Sequence, residues 1–274
     1  MAAAEPLAKT MAEPMVVVDD LHVVYRVFGS KSDKGTAATA LWRILRRQRR
    51  PSVREVHAIR GVSFVANRGD AVGVIGRNGS GKSTLLRAIA GLLPPEQGVV
   101  YTTGHASLLG VNAALLDDLT GERNVVVCGL AMGMTPREVK DKYQGIVDFS
   151  GVGDFINLPM RAYSTGMGSR LRFAIASARS HEVLLIDEAL VTGDAEFRVR
   201  SRQRIEELRA QAGTVFIVAH SMAQIEETCN RVIWLEKGQI VRAGDDVPAI
   251  IDAYLAATGG EPLIREGAKN PLTP

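Results

Sequence analysis

A glycine-rich loop with a lysine and two hydroxyl residues lies in the stretch AVGVIGRNGSGKST, residues 71–84. Gly76, four further residues and then Gly81 and Lys82 fit a phosphate-binding P-loop better than a chance glycine-rich turn. Glycines let successive N–H groups turn toward one point, so we predict that the loop and the Lys82 ammonium hold the β- and γ-phosphates of a nucleotide. Ser83 is predicted to bind Mg²⁺, and Lys82 is also assigned a catalytic role. The loop residues assigned to nucleotide binding are Gly76, Asn78, Gly79, Ser80, Gly81, Lys82, Ser83 and Thr84.

Two further stretches place ionisable side chains at the ends of apolar runs. VLLIDEA at 183–189 predicts a buried parallel strand that ends on Asp187 and Glu188. Asp187 is predicted to join the Mg²⁺ shell, and Glu188 to act as the base on a nucleophilic water. His220 follows the apolar run 214–218 and is assigned a catalytic phosphate contact rather than a structural role. Ligands of open α/β sheets gather beyond the carboxyl ends of strands, so we expect these groups and the P-loop to share one rim.

The elements that position these residues follow from the apolar pattern. Strands are predicted at 15–18 and 21–27, with a break at 19–20, and again at 57–65. The loop leads into a helix that should end near Leu93, because the two prolines that follow cannot continue it.

The second half of the chain alternates helical and strand patterns. A helical section begins at Thr120, and T-P-x-E at 135–138 predicts a capped helix. A charged helix is predicted at 197–211, a hairpin at 232–241 and a last helix started by Asp246.

Bulk properties narrow the class of protein. With 274 residues and 46% hydrophobic content, one nucleotide-binding domain with modest additions is expected. The net charge of +3 does not by itself imply nucleic acid. No run approaches the ~18 apolar residues that cross a bilayer. Glu5 and Glu13 make the start unlike a signal peptide, and Cys128 and Cys229 match no metal or redox spacing, so a cytoplasmic protein is expected.

The stretch 29–55 interrupts the strand pattern with ALWRILRRQRRP at 40–51. Its apolar residues share a helical face and its arginines supply dense positive charge, which predicts a short basic amphipathic helix. Three interpretations stay open: an insertion that packs on its own domain, attachment to a membrane surface or membrane-embedded partner, and nucleic-acid binding. Nucleic acid ranks lowest, because Trp42 is the one neighbouring aromatic residue.

The segment YSTGMGSRLRFAIASA at 163–178 resembles the signature of ATP-binding cassette (ABC) ATPases, and the order P-loop, signature, apolar-Asp-Glu and His220 is that family's order. The YSTGM form resembles ATPase subunits of polysaccharide exporters of the Wzm–Wzt type. LTGERN at 119–124, LVTGDAEF at 190–197 and the basic insertion before HAIRGVSF support that narrower match. The ABC motifs together cover Met15 to about Ala257.

The resemblance implies an α/β fold of the P-loop NTPase, ABC ATPase type, with a mixed sheet core, an antiparallel β subdomain and an inserted α-helical subdomain. The ABC ATPase domain is expected at 15–257, with the basic insertion at 29–55 and the helical subdomain with the signature at about 112–180. The tails at 1–14 and 258–274 are expected to be disordered, with no carbohydrate-binding domain. Export of an uncapped glycan, without recognition of its end by this subunit, is the corresponding expectation.

The resemblance also implies an ATPase that uses ATP and Mg²⁺ and forms a homodimer beneath two copies of a membrane-spanning, Wzm-like permease. The expected location is the cytoplasmic face of the inner membrane, held through the permease, and the cargo is a lipid-linked polysaccharide of the O-antigen or cell-wall galactan type. Ser164 and Gly166 of one subunit would close over ATP held by the other. Asp194 is also assigned to the nucleotide site, and no nucleic-acid partner is expected.

Two positions depart from the family pattern. The adenine-stacking aromatic residue is replaced by His57, with Tyr25 as the alternative, and Asn112 is the nearest amide where a glutamine usually links Mg²⁺ to the attacking water. The alternative function is a soluble ABC-type ATPase that regulates a nucleic-acid or ribosome complex, which usually requires two cassettes or a long coiled-coil insertion. A small-molecule P-loop kinase would leave YSTGM and His220 without a purpose.

Overall fold

The structure is a computed structural model that describes residues 13–28, 53–109, 115–187, 194–219 and 221–263. The predicted amphipathic helix, Asn112, Glu188 and His220 lie outside the described residues. The strands are β1 (Pro14–Phe28), β2 (Val53–Asn67), β3 (Ala71–Ile75), β4 (Gln97–Thr102), β5 (Ala106–Leu108), β6 (Val183–Asp187), β7 (Thr214–Val218), β8 (Arg231–Glu236) and β9 (Gln239–Gly244). The helices are α1 (Lys82–Ile89), α2 (Gly121–Ala131), α3 (Pro136–Ser150), α4 (Thr165–Ala176), α5 (Ala195–Gln211), α6 (Met222–Thr228) and α7 (Val247–Thr258), with short 3-10 helices at Gly153–Asn157 and Met160–Ala162.

A six-stranded mixed sheet forms the centre, in the order β5-β6-β7-β3-β8-β9. All neighbours pair in parallel except β8 and β9, which form the predicted hairpin. Every residue of β6 and β7 is buried, as expected for parallel strands covered on both faces. One face packs on α1 and the antiparallel sheet, and the other packs on α5, α6 and α7. The sheet therefore presents one carboxyl edge, from which the P-loop emerges.

A second, antiparallel sheet has the order β2-β1-β4. The predicted break at 19–20 is wrong, because β1 runs without interruption from Pro14 to Phe28. The irregularity is absorbed instead by a register shift between Val18 and Leu21, with Asp20 at a φ of 45°. The Asp20 N–H donates to Ser63 Oγ at 2.8 Å, so the strand bulges without losing that hydrogen bond.

Helices α2, α3 and α4 form a separate apolar core around Val125, Ile146 and Leu171. Thr120 caps α2, and Thr135 with Glu138 forms the predicted capping box of α3. With the mixed and antiparallel sheets, this helical part agrees with the predicted α/β class. Among the residues that the structure describes, no helix combines the length and apolar character needed to cross a bilayer.

The P-loop helix is shorter than predicted, since α1 ends at Ile89 rather than near Leu93. Gly91, at a φ of +70°, stops it: the N–H of Leu92 donates to Arg87 O at 2.9 Å, which closes a Schellman-type end. The glycine ends the helix one turn before the prolines are reached.

Candidate functional site

The P-loop joins β3 to α1 at the carboxyl edge of the central sheet. Gly81 immediately precedes α1 at a φ of 110°, and a Cβ there would lie 2.7 Å from Ala58 O and 2.9 Å from Ile59 Cδ1. Only glycine fits this position, so the loop lies directly against β2. The first N–H groups of α1 and the positive end of its dipole therefore lie where the sequence predicts phosphates.

Lys82 folds back over the loop. Its ammonium donates to Gly76 O at 2.7 Å and to Arg77 O at 3.1 Å. Burial lowers the pKa of Lys82, although the carboxylates of Asp187 and Glu236 oppose the shift. A partly desolvated ammonium beside exposed loop residues is well suited to pair with an anion.

Ser83 and Asp187 meet as the sequence predicts. Ser83 Oγ donates to Asp187 Oδ2 at 2.8 Å, and Asp187 is 5% exposed at the end of β6. A hydroxyl and a carboxylate at this distance are the oxygen donors that Mg²⁺ prefers beside phosphates, so the donor set fits the metal.

The two adenine candidates lie near the loop on neighbouring strands. Val24 pairs with exposed His57 and Tyr25 pairs with Val56, so the His57 and Tyr25 side chains leave opposite faces of the sheet. The Tyr25 hydroxyl lies 3.4 Å from Thr84 Oγ1. Both remain predicted platforms, and Tyr25 is the one joined to the P-loop helix.

The signature segment forms the beginning of α4. Ser164 is the N-cap, and its Oγ accepts from the Met167 N–H at 3.2 Å. Ser164 and Gly166 are exposed, and a Cβ at Gly166 would have no closer neighbour than Ser164 Oγ at 3.9 Å. Glycine costs about 1 kcal/mol in a helix relative to alanine, and no close neighbour within the described chain requires it here. The exposed helix start is therefore accessible to a group from outside the chain.

Asp194 joins the signature helix to α5. Its Oδ1 accepts from the Phe197 N–H at 2.8 Å, and its Oδ2 accepts from Arg170 Nη1 at 3.1 Å. Sequence reasoning assigned Asp194 to nucleotide binding and missed Arg170 as its partner. The D-A-E-F pattern at 194–197 carries the helix-cap signal that leads to one of these two bonds.

Asp187 and Val218, the last residues of β6 and β7, pair in register. The chain therefore leaves both strands at the same edge as the P-loop. The roles assigned to Glu188, His220 and Asn112 lie outside the described residues and stay predictions.

Comparison with known proteins adds family information. Residues 59–191 match a sequence family described as ABC transporter. The chain is 39% identical over 198 residues to "Teichoic acids export ATP-binding protein TagH" of Bacillus anthracis, covering 72% of this chain and 36% of that protein. It is 38% identical over 205 residues to "O-antigen export system ATP-binding protein RfbB" of Klebsiella pneumoniae, covering 74% of this chain and 83% of that protein. The match spans between 36% and 56% of the length of the similar TagH proteins.

Solved structures share the fold at low identity. One is a dimeric ATP-binding cassette in a post-hydrolysis state with ADP and phosphate: its TM-score is 0.61 and its identity 20%, over 84% of this chain and 98% of that one. Another, an ATP-binding subunit of an ABC transporter, has a TM-score of 0.62 at 20% identity, over 89% of this chain and 93% of that one. At this identity the likeness supports the fold alone.

Proposed function

Because this chain belongs to the ATP-binding proteins of the ABC transporter family, we propose that it hydrolyses ATP to drive export of a lipid-linked polysaccharide across the cytoplasmic membrane. The observation that carries the proposal is the 2.8 Å hydrogen bond that joins Ser83, on the P-loop helix, to the buried Asp187. The similarity to export proteins named for O-antigen and teichoic acids supports the class of cargo.

Each part of the P-loop site has a separate task. The N–H groups at the start of α1 and the Lys82 ammonium hold the β- and γ-phosphates. Ser83 and Asp187 hold Mg²⁺, which when bound offsets negative charge on the phosphate oxygens. Glu188 takes the proton of the attacking water, and His220 contacts phosphate. Asn112 completes the metal side.

Two copies of the chain form the working unit. Ser164 and Gly166 of one subunit close over the phosphates held by its partner, and the exposed, capped start of α4 supports this role. Hydrolysis and loss of phosphate remove these contacts, so the dimer opens. Asp194, on the same surface as Arg170 of the signature helix, belongs to this interface.

The partner in the membrane is a Wzm-like permease, present in two copies, which holds this subunit peripherally at the cytoplasmic face. The cargo is of the O-antigen or cell-wall galactan type. The resemblance to this exporter family supports a role for the basic segment within 29–55 at the membrane entrance.

The test is ATP turnover by wild type and Glu188→Gln, each followed by size-exclusion chromatography in Mg-ATP. Loss of turnover with an ATP-dependent dimer is the expected result, because the variant binds ATP without consuming it. A variant that stays monomeric and still turns over contradicts the residue roles. Wild type isolated from its host should bring down a membrane protein, and bound nucleic acid in its place would contradict the export role.

A further inference from the structure

The turn between β8 and β9 packs against the P-loop. β8 lies parallel to β3, with Trp234 paired to Ile75, so Leu235 comes beside the first loop glycine, Gly76. A Cβ at Gly76 would collide with the carbonyl oxygen of Leu235. The chain then reverses through Lys237 and Gly238, at φ values of 49° and 81°. Positive φ at both central positions is typical of the tight type I′ hairpin turn.

Gly238 bonds to both neighbours of the turn through its backbone. Its N–H donates to Ser80 O in the P-loop at 2.8 Å, and its carbonyl accepts from the Arg60 N–H of β2 at 2.8 Å. Ser80 is 3% exposed, and its Oγ has no hydrogen-bond partner in the described chain. Its carbonyl bond to Gly238 thus anchors Ser80 to a residue outside the loop.

Space around Gly238 admits no side chain. A Cβ there would lie 2.5 Å from Ala58 O and 3.2 Å from Ile59 Cα. Ala58 O is also the atom closest to a Cβ at Gly81, at 2.7 Å. Gly238 therefore fills the gap between β2 and the P-loop residues Ser80 and Gly81, so a shift of the turn should displace the loop.

The strand that leads into the turn, β8, packs against α7. The rings of Trp234 and Tyr254 of α7 meet edge to face, 5.5 Å between centroids, and Trp234 is 8% exposed. The end of β8 is thus held between α7 and β3, which makes it a firm support.

We propose that Gly238 is a positioning residue for nucleotide binding: its N–H and carbonyl, set between Ser80 and Arg60, fix the P-loop in the geometry that receives phosphates. The nucleotide part of this inference rests on the proposed function. The geometric part concerns the loop alone and is measurable without nucleotide.

The test compares Gly238→Ala with Gly259→Ala in the full chain. Gly259 ends α7 at a φ of 73° with nothing within 4 Å of its Cβ, so it matches the backbone strain without the crowding. Hydrogen exchange of the amides in residues 76–84, without nucleotide, should be about ten-fold faster in Gly238→Ala and unchanged in Gly259→Ala. Affinities for ATP and ADP should fall about ten-fold in Gly238→Ala alone, because the loop is no longer pre-organised.

Two further variants complete the test: one separates crowding from backbone strain, and the other replaces a variant that does not fold. Gly238→Asn tolerates positive φ but still carries a Cβ, so it should behave as Gly238→Ala does, and recovery with asparagine would contradict the proposal. If Gly238→Ala does not fold, one glycine inserted between Lys237 and Gly238 shifts the turn without adding a Cβ and should give the same exchange result.

The outcomes distinguish the two proposals. Unchanged exchange at 76–84 in the turn variants overturns the positioning role whatever the nucleotide results. Faster exchange at 76–84 in the turn variants supports the positioning of the loop by Gly238. If the wild-type protein at the same time binds no ATP, the proposed function is contradicted.

Discussion

Asp187 is the carboxylate on which the proposed metal site depends, and Asp187→Asn isolates its charge. The amide keeps an acceptor for Ser83 Oγ, 2.8 Å away, so the fold should persist. Loss of the metal-binding charge removes several kcal/mol of stabilisation, and kcat for ATP should fall roughly a hundred-fold or more. ATP binding measured without Mg²⁺ should stay near wild type.

The control for this variant is Asp154→Asn, at an exposed carboxylate in the helical part. Its turnover should equal that of wild type. An Asp187→Asn protein with normal turnover and normal Mg²⁺ dependence would remove Asp187 from the metal site.

At the residue level, motif spacing predicted the P-loop and Asp187. The P-loop and Asp187 were predicted to share one rim, and Ser83 and Asp187 lie in hydrogen-bond contact there. Their catalytic roles stay predictions. Spacing did not lead to the Arg170–Asp194 pair or to Gly238 beside Ser80, because no motif contains these pairs and their contacts depend on how elements pack.

At the level of elements, Asp194 makes two bonds of different worth: an ion pair with Arg170 that links α4 to α5, and a cap within α5. Its side chain is 58% exposed, so the ion pair with Arg170 should contribute less than ~1 kcal/mol. The cap on the Phe197 N–H is worth about 1 kcal/mol, and asparagine caps a helix as well as aspartate does. In urea unfolding, the free energy of unfolding should therefore decrease slightly in Asp194→Asn and clearly more in Asp194→Ala. Equal decreases in the two variants would mean that the ion pair, and not the cap, accounts for the stabilising effect of Asp194.

We predict that His181 makes the free energy of unfolding pH-dependent. It is 5% exposed just after α4, and burial lowers its pKa, although its hydrogen bond with Ala176 O opposes the shift. Because the unfolded chain binds this proton more readily, stability should be full above the unfolded value of about 6.5 and should decrease as the pH falls through it.

The pH effect is checked by urea unfolding between pH 5 and 8. His181→Gln, which cannot titrate, should show a flatter profile than wild type over this range. A wild-type profile as flat as that of His181→Gln would contradict the prediction.

The wrong break in β1 and the wrong end of α1 have physical reasons. β1 continues through Asp19 and Asp20 because a bulge accommodates residues with low strand propensity. α1 ends at Ile89 because Gly91 adopts a left-handed conformation before the prolines. In both cases local pattern identified the element, and the backbone geometry of one residue decided its extent.

At the scale of the whole molecule, the predicted family is confirmed by relatives that include RfbB of Klebsiella pneumoniae, and the fold class by the solved ATP-binding cassettes. The family could be predicted from the order of the motifs, because four segments spread over the chain all match the ABC ATPase pattern. Residue spacing alone does not predict how two chains combine, because a site shared between two copies has no contact within one chain.

A shared site predicts complementation between two inactive chains. Lys82→Ala disables the P-loop, and Gly166→Glu disables the signature without crowding its own chain, where a Cβ has no neighbour closer than 3.9 Å. In a mixed dimer both defects fall on one composite site, and the other site has an intact P-loop and an intact signature. Mixing the two inactive proteins equally should therefore restore up to about one quarter of wild-type turnover, since half of the dimers are mixed and each holds one intact site of two. The double variant mixed with itself should stay inactive, and a mixture without recovered turnover would mean that Gly166 acts within its own chain.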